Sequence, residues 1–453
     1  MKKIFIVLFL IGILLCEGKE VKIVIYNQNF AVIDELREIE VSLGKNKIIF
    51  TDIPKFIEPT SIQISSLNYP NEFKVLEHSF DSDVYNLEKI FSRNIGENIG
   101  IINKSGDVYS GKLLFYDAKN IGIETKDKIL ILNRDEIKEI SFNKLDGLIL
   151  KPQLNFLVQN NKIGIHKILL KYITTNINWK ADYTGEYNEE KNKLKIDGFI
   201  TIDNKSGIDY HDTSLILIAG RLKKMIEPQL YRDEGLMAKM IMEQQPERFE
   251  EEPFFEYHKY TLKEKLDLKD GELKQINFIK KEDVKVEKKY IYEGAILKYY
   301  HYENWRNLKF NEKVNVWIEF KNEDEILPEG KLKVFKIDKG QSIFIGESLI
   351  PHTPTGEKVK LNIGEAFDIK GERKILSHER ISQQIYKDTY EIKIKNFKKE
   401  DIKIEVVEKL YGTWEIIEKT HDFEKVDAFT IKFPIKVKSS GEETIKYTVI
   451  TKF

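Results

Sequence analysis

Between Tyr172 and Gly220 strand-like runs are set among the densest aromatic and turn residues of the chain, and in Lys195-Ile-Asp-Gly-Phe-Ile-Thr-Ile202 apolar and polar side chains alternate. A period of two places every second side chain on one face, which suits a half-buried antiparallel strand and no helix. Turn residues punctuate the stretch. Asn204-Lys-Ser206-Gly207 reads as a tight turn in which glycine supplies a positive φ and Asn or Ser bonds back to the backbone. Tyr172, Trp179 and Tyr183 are read as core and sheet-end aromatics rather than a sugar platform.

The pattern recurs along the chain. Val21–Tyr26, Arg37–Leu43, Lys47–Phe50, Ser61–Ser65 and Phe73–Glu77 are short alternating runs, with Pro54 and Pro59 placed between strands. Within 87–142, five short runs follow a brief helical start at Glu88, with glycine in or beside most of them. That predicts a small closed barrel, similar in order to Sm-like and SH3-like barrels. From Tyr390 onward, turn signals return every eight to twelve residues, as in an immunoglobulin-like sandwich, with Trp414 as its expected core aromatic. The predicted fold is therefore all-β: multi-domain antiparallel β-sandwiches, an inserted small β-barrel and a C-terminal immunoglobulin-like domain. The boundaries read as 19–86 for an N-terminal β domain, 87–146 for the inserted barrel, and 147–220 with 256–380 for the two halves of a central β domain. A mobile linker is expected at 221–255 and the terminal sandwich at 381–453.

Residues 1–18 read as a signal peptide. Lys2 and Lys3 precede an apolar run from Ile4 to Cys16, too short to span a bilayer, with cleavage expected before Lys19. The mature chain is then expected to be exported, to the periplasm or cell surface, without membrane insertion. Cys16 is the only cysteine, so no disulfide or thiol chemistry is available beyond it. It also offers an alternative lipid anchor, although Leu15 is bulky where a lipobox has a small residue.

Chemistry is scarce. The 73 basic and 74 acidic side chains nearly cancel, and the inserted module carries nine of each, so neither offers the excess positive charge that nucleic-acid binding requires. No nucleophile elbow, P-loop, dinucleotide fingerprint or zinc-protease motif occurs. The eight histidines are scattered, no two within four residues. No catalytic, cofactor or metal residues are assigned. His211, in Asp209-Tyr-His-Asp212, and His352, in His352-Thr-Pro-Thr-Gly356, are the ligand-contact candidates, each in a polar turn. Met225, Met237, Met240 and Met242 fall in the linker, as does the acidic run Glu247–Glu252, read as solvated.

The sequence resembles a known family. Tyr172, Trp179 and Tyr183, then Asp203-Asn204-Lys-Ser206-Gly207-Ile-Asp-Tyr and Leu215–Gly220, are similar to the bacterial domain-of-unknown-function family 4139, which includes mucoidy inhibitor A-like proteins. Tyr257-His-Lys-Tyr-Thr-Leu, Leu327-Pro-Glu-Gly-Lys-Leu-Lys-Val, His352-Thr-Pro, Gly364-Glu-Ala-Phe-Asp and Tyr447-Thr-Val continue the likeness. It implies an exported β-rich protein with no defined active site. Where some members carry a coiled coil, this chain has the inserted module. The expectation is a non-enzymatic scaffold that binds a protein or a surface polysaccharide of the cell envelope. The alternative is a hydrolase acting on an envelope polymer. An enzyme should gather converging acids or histidines in a deep pocket. A scaffold should show an exposed aromatic patch or an open sheet edge.

Overall fold

The computed structural model describes residues 19–82, 87–143, 150–220, 249–255, 257–294 and 310–453. The expected signal peptide with Cys16, most of the 221–255 linker with its four methionines, and His301 lie outside the described residues. The fold is all-β, as the alternation predicts, and among the described residues its parallel pairings include Glu20–Tyr26 with Tyr210–Ala219 and Ile177–Asn188 with Gly330–Asp338. The described residues fall into two compact units. One draws on 19–178, 203–220 and 251–273, the other on 179–202, 249–250 and 274–453.

The first unit is a sandwich. Its larger sheet runs in the order Phe249–Phe254, Tyr257–Leu262, Tyr210–Ala219, Glu20–Tyr26, Phe30–Val41, Gly164–Thr175, Gln63–Ser66. Glu20–Tyr26 lies inside it, antiparallel to Phe30–Val41 and parallel to Tyr210–Ala219. A three-stranded sheet of Gly44–Phe50, Gln153–Asn160 and Phe73–Asp81 forms the other layer. Leu154, Phe156 and Val158 point inward from it, each almost wholly buried. The two layers meet where the Arg37 guanidinium lies over the Phe50 ring, 4.7 Å from its centroid.

The strand Phe30–Val41 carries two charges into this core. Glu35 and Arg37 share the inward face with Ile33 and Ile39 and are buried. Arg37 Nε donates to Glu35 Oε2 at 2.8 Å, and Nη1 donates to Asp52 Oδ1 at 2.6 Å. Tyr172 Oη donates to Glu35 Oε1 at 2.6 Å, and Lys19 Nζ is 3.2 Å from the same oxygen. Burial pushes the Asp52 carboxyl up, but the hydrogen bond and charge of Arg37, with Lys19, outweigh it and hold the group below the usual carboxylate value. A depressed folded value stabilises above the unfolded pKa of about 3.9 and loses that contribution as pH falls through the folded value. We therefore expect the stability gap between the native chain and Asp52→Asn, read by urea unfolding, to be constant above about pH 5 and to narrow as pH falls below the unfolded value.

The inserted module is a five-stranded sheet in the order Ile137–Ser141, Asn98–Asn103, Val108–Tyr116, Asn120–Glu124, Ile129–Asn133. It curls around Ile99, Ile101, Leu113, Ile121 and Ile123, and the short helix Leu87–Arg93 adds Phe91 to that core. The closed ring expected of it does not form: among the described residues no ladder joins the two end strands. A 3-10 turn, Arg134–Glu136, capped by the Asn133 side chain, directs the chain away from Ile129–Asn133 and onto Asn98–Asn103.

The second unit is one continuous thirteen-stranded sheet folded over two cores. Two long strands, Glu272–Glu293 and Lys358–Arg380, contribute to both cores. The strands after 381 join this same sheet: Ile385–Asn396 pairs with Lys358–Arg380, and Ile402–Lys409 runs parallel to Glu272–Glu293. Around the terminal core, Ile392, Ile445 and Tyr447 meet Ile404, Ile431 and Phe433. Trp414 packs at its rim, half-buried, with Nε1 donating to Ala428 O at 2.8 Å.

Candidate binding surface

In Lys358–Arg380 the apolar residues Val359, Leu361, Ile363, Phe367 and Ile369 all share one parity. An unbroken strand would turn all five inward. Four are buried, but Phe367 is 93% exposed. The ladder with Lys313–Lys321 explains the exception. Lys313 faces Lys370 and Asn315 faces Glu365, so Val314 alone stands opposite the four residues 366–369. The extra residues form a bulge that re-aims side chains. Both ends are held down, since Ala366 and Ile369 pack into the terminal core and Phe397 N–H donates to Asp368 O at 2.8 Å. Gly364, with φ at +147°, sits just before the bulge, its N–H bonded to Asn362 Oδ1 at 3.1 Å.

Beside Phe367 lies an open depression of about 510 Å³, lined by Phe397, Glu312, Lys313, Glu365 and Asp368 among others. Phe397 is 58% exposed. Lys313 Nζ and Glu365 Oε1 pair at 2.8 Å on the rim. Two exposed rings inside a mixed-charge rim can grip an apolar group without a strong field of either sign.

The residues singled out from the sequence lie elsewhere. Tyr172, Trp179 and Tyr183 are each at most 2% exposed, and Tyr183 Oη donates to Pro328 O at 2.7 Å. Burial, then the Glu35 charge, raises the Tyr172 hydroxyl well above its ordinary value. Asn204 and Ser206 are buried together: Asn204 Oδ1 accepts from Ser206 Oγ at 2.8 Å, and Nδ2 donates to Ile208 O at 3.0 Å. Gly207 N–H donates to Asp270 Oδ1 at 2.9 Å, and Gly220 closes its strand against the Tyr257 ring.

His211 and His352 belong to different units. His211 is exposed, with Nδ1 3.8 Å from Asp267 Oδ1. Its acidic neighbours are engaged elsewhere: Asp209 Oδ1 accepts from Asp270 N–H at 2.7 Å, and Asp212 Oδ2 accepts from Lys265 Nζ at 2.7 Å. His352 Nδ1 accepts the Glu329 N–H at 3.0 Å. Among the described residues, no group of three or more His, Cys, Asp or Glu could hold a metal ion. Residues 249–254, read as linker, form a strand here, and Glu251 pairs with His258 at 2.8 Å across the hairpin.

The exposed setting of Phe367 and the buried Glu35–Arg37 pair were not read from the sequence. Parity announces the second, since both charges fall in step with Ile33 and Ile39. A glycine within a strand run, Gly364, is the signal for the first. No protein-family model matches the chain, and no curated protein matches it.

Proposed function

We propose that this chain is an exported, non-enzymatic protein of the bacterial envelope, akin to domain-of-unknown-function family 4139, that docks a protein partner on the Phe367 surface. The carrying observation is the ring itself. A phenylalanine whose flanking residues are anchored in a core is held out in water, giving up about 1.5–3 kcal/mol of burial that a partner would recover. Exposed aromatic anchors ringed by polar groups behave this way at interfaces.

A photoreactive benzoylphenylalanine at position 367, introduced in the native host, is expected to give one discrete protein adduct. Phe397→Ala should cut its yield at least about fivefold, while the same probe at exposed Val426 gives none. A glycan adduct in its place would move the reading to a surface polysaccharide. Turnover of an envelope polymer by the purified chain, lost on one substitution, would establish the hydrolase alternative and sink the proposal.

A further inference from the structure

The strand Ile129–Asn133 ends its five-stranded sheet, and among the described residues none pairs with its outer side. End strands in soluble proteins usually carry a guard against pairing. Phe249–Phe254 has three glutamates and Pro253. Thr413–Lys419 has Glu415, Glu418, Lys419 and a bulge between Ile416 and Glu418. Ile129-Leu-Ile-Leu132 has no charge, no proline and no register shift. Ile129 and Ile131 are 60% and 64% exposed. Phe115, partly exposed, lies against Gly122, the residue that faces Ile131, and extends the apolar surface across three strands.

The backbone states what kind of group fits there. Thr125 N–H donates to Lys128 O at 2.9 Å, and Arg134 N–H donates to Lys119 O at 2.7 Å. Hydrogen-bonded pairs alternate along an antiparallel ladder, so Leu130 and Leu132 spend their N–H and C=O on the neighbouring strand. Those of Ile129 and Ile131 therefore point outward. The same two residues present free backbone groups and bare side chains, which is a template for another extended segment.

A second copy of this strand fits badly. Facing residues of an antiparallel pair share a face, so the registers that keep three apolar pairs centre on Ile131 or on Leu130. The first runs Lys128 into the 3-10 turn that starts at Arg134, and the second sets Lys128 against Leu132, so neither pairing extends beyond its three apolar pairs. Lys126 and Lys128 instead favour acidic residues at the C-terminal end of an incoming antiparallel strand.

We propose that the outer edge of Ile129–Asn133 captures an extended antiparallel segment of a partner protein, apolar at its centre and acidic at its C-terminal end. This surface is independent of Phe367. The probe is the labelled peptide acetyl-Thr-Val-Ile-Val-Thr-Glu-Glu-amide, titrated into the full chain and followed by fluorescence anisotropy. Methylating one alternate set of its backbone nitrogens should weaken binding at least about tenfold, and methylating the other set should leave it within about threefold. Ile131→Pro removes an N–H that the protein's own ladder does not use. It should weaken binding at least about tenfold with an unchanged circular dichroism spectrum. Lys126→Glu with Lys128→Glu should reverse the preference toward a peptide ending in Lys-Lys. No binding of the probe, or equal loss from both methylation patterns, overturns the proposal. So does a concentration-dependent oligomer that Ile131→Pro dissolves, since a second copy would then cover the edge.

Discussion

Replacing Arg373 by methionine is expected to destabilise the second unit by about 3–5 kcal/mol, the range for removing one partner of a buried ion pair. Arg373 donates from Nε and Nη2 to Glu408 at 2.8–3.1 Å, and Tyr447 Oη donates to Glu408 Oε2 at 2.5 Å. Glu408 is wholly buried, and the guanidinium lies 4.1 Å from the centroid of the Tyr390 ring. Burial works against the Arg373 charge, but Glu408 outweighs it and raises the group well above its ordinary value. Without Arg373 the carboxylate keeps one donor in an apolar core. Arg373→Met with Glu408→Met should recover most of the loss, because a buried pair replaced whole by apolar groups is often near neutral. Urea unfolding of the two single variants and the double variant closes the cycle. A loss below about 1 kcal/mol for Arg373→Met would show that water reaches the pair. The first unit holds the same chemical device in Glu35, Arg37 and Tyr172. In each, an arginine fork and a tyrosine hydroxyl meet on one glutamate. A strand that slipped by one residue would send such a charge to the wrong face, so the pair penalises wrong registers.

Gly346→Ala should be nearly as damaging, at about 3 kcal/mol or more. Gly346 lies in Gln341–Ile350 with φ at +155°, and a Cβ there would stand 1.9 Å from Ile363 O and 3.1 Å from Ile363 Cα. Those are backbone atoms of Lys358–Arg380, which cannot swing away as a side-chain tip can. The two strands meet at this point without sharing a ladder. Gly340→Ala is the control. Its φ is +81°, but nothing lies within 4 Å of the added carbon, so it should cost only about 1 kcal/mol of backbone strain. Equal losses in the two variants would mean that conformation alone, and not the close approach, sets the effect.

Much of the fold was legible because strand periodicity is local. Lys193–Asn204 and Gln153–Asn160 alternate in sequence and in burial alike. The Asn204–Ser206–Gly207 turn was also readable, since Asn204 bonds within four residues to Ser206 and Ile208, while the turn's ties to Leu268 and Asp270 were not. What could not be read depends on partners far along the chain. Closure of the inserted sheet turns on whether residues 129–133 pair with 137–141, and among the described residues they do not. The exposure of Phe367 runs against its own parity. It follows from a mismatch with Val314, about fifty residues earlier, and Gly364 merely hints at it.

The interior position of Glu20–Tyr26 bears on how the molecule is made. This strand is among the first residues of the described chain to be synthesised, and one of its two neighbours, Tyr210–Ala219, arrives about 190 residues later. Until then one side of it lacks its native strand partner. Contacts so distant in sequence form slowly. A half-made chain with an unpaired apolar strand is prone to aggregate, so a newly made molecule has to be shielded until residue 219 is available.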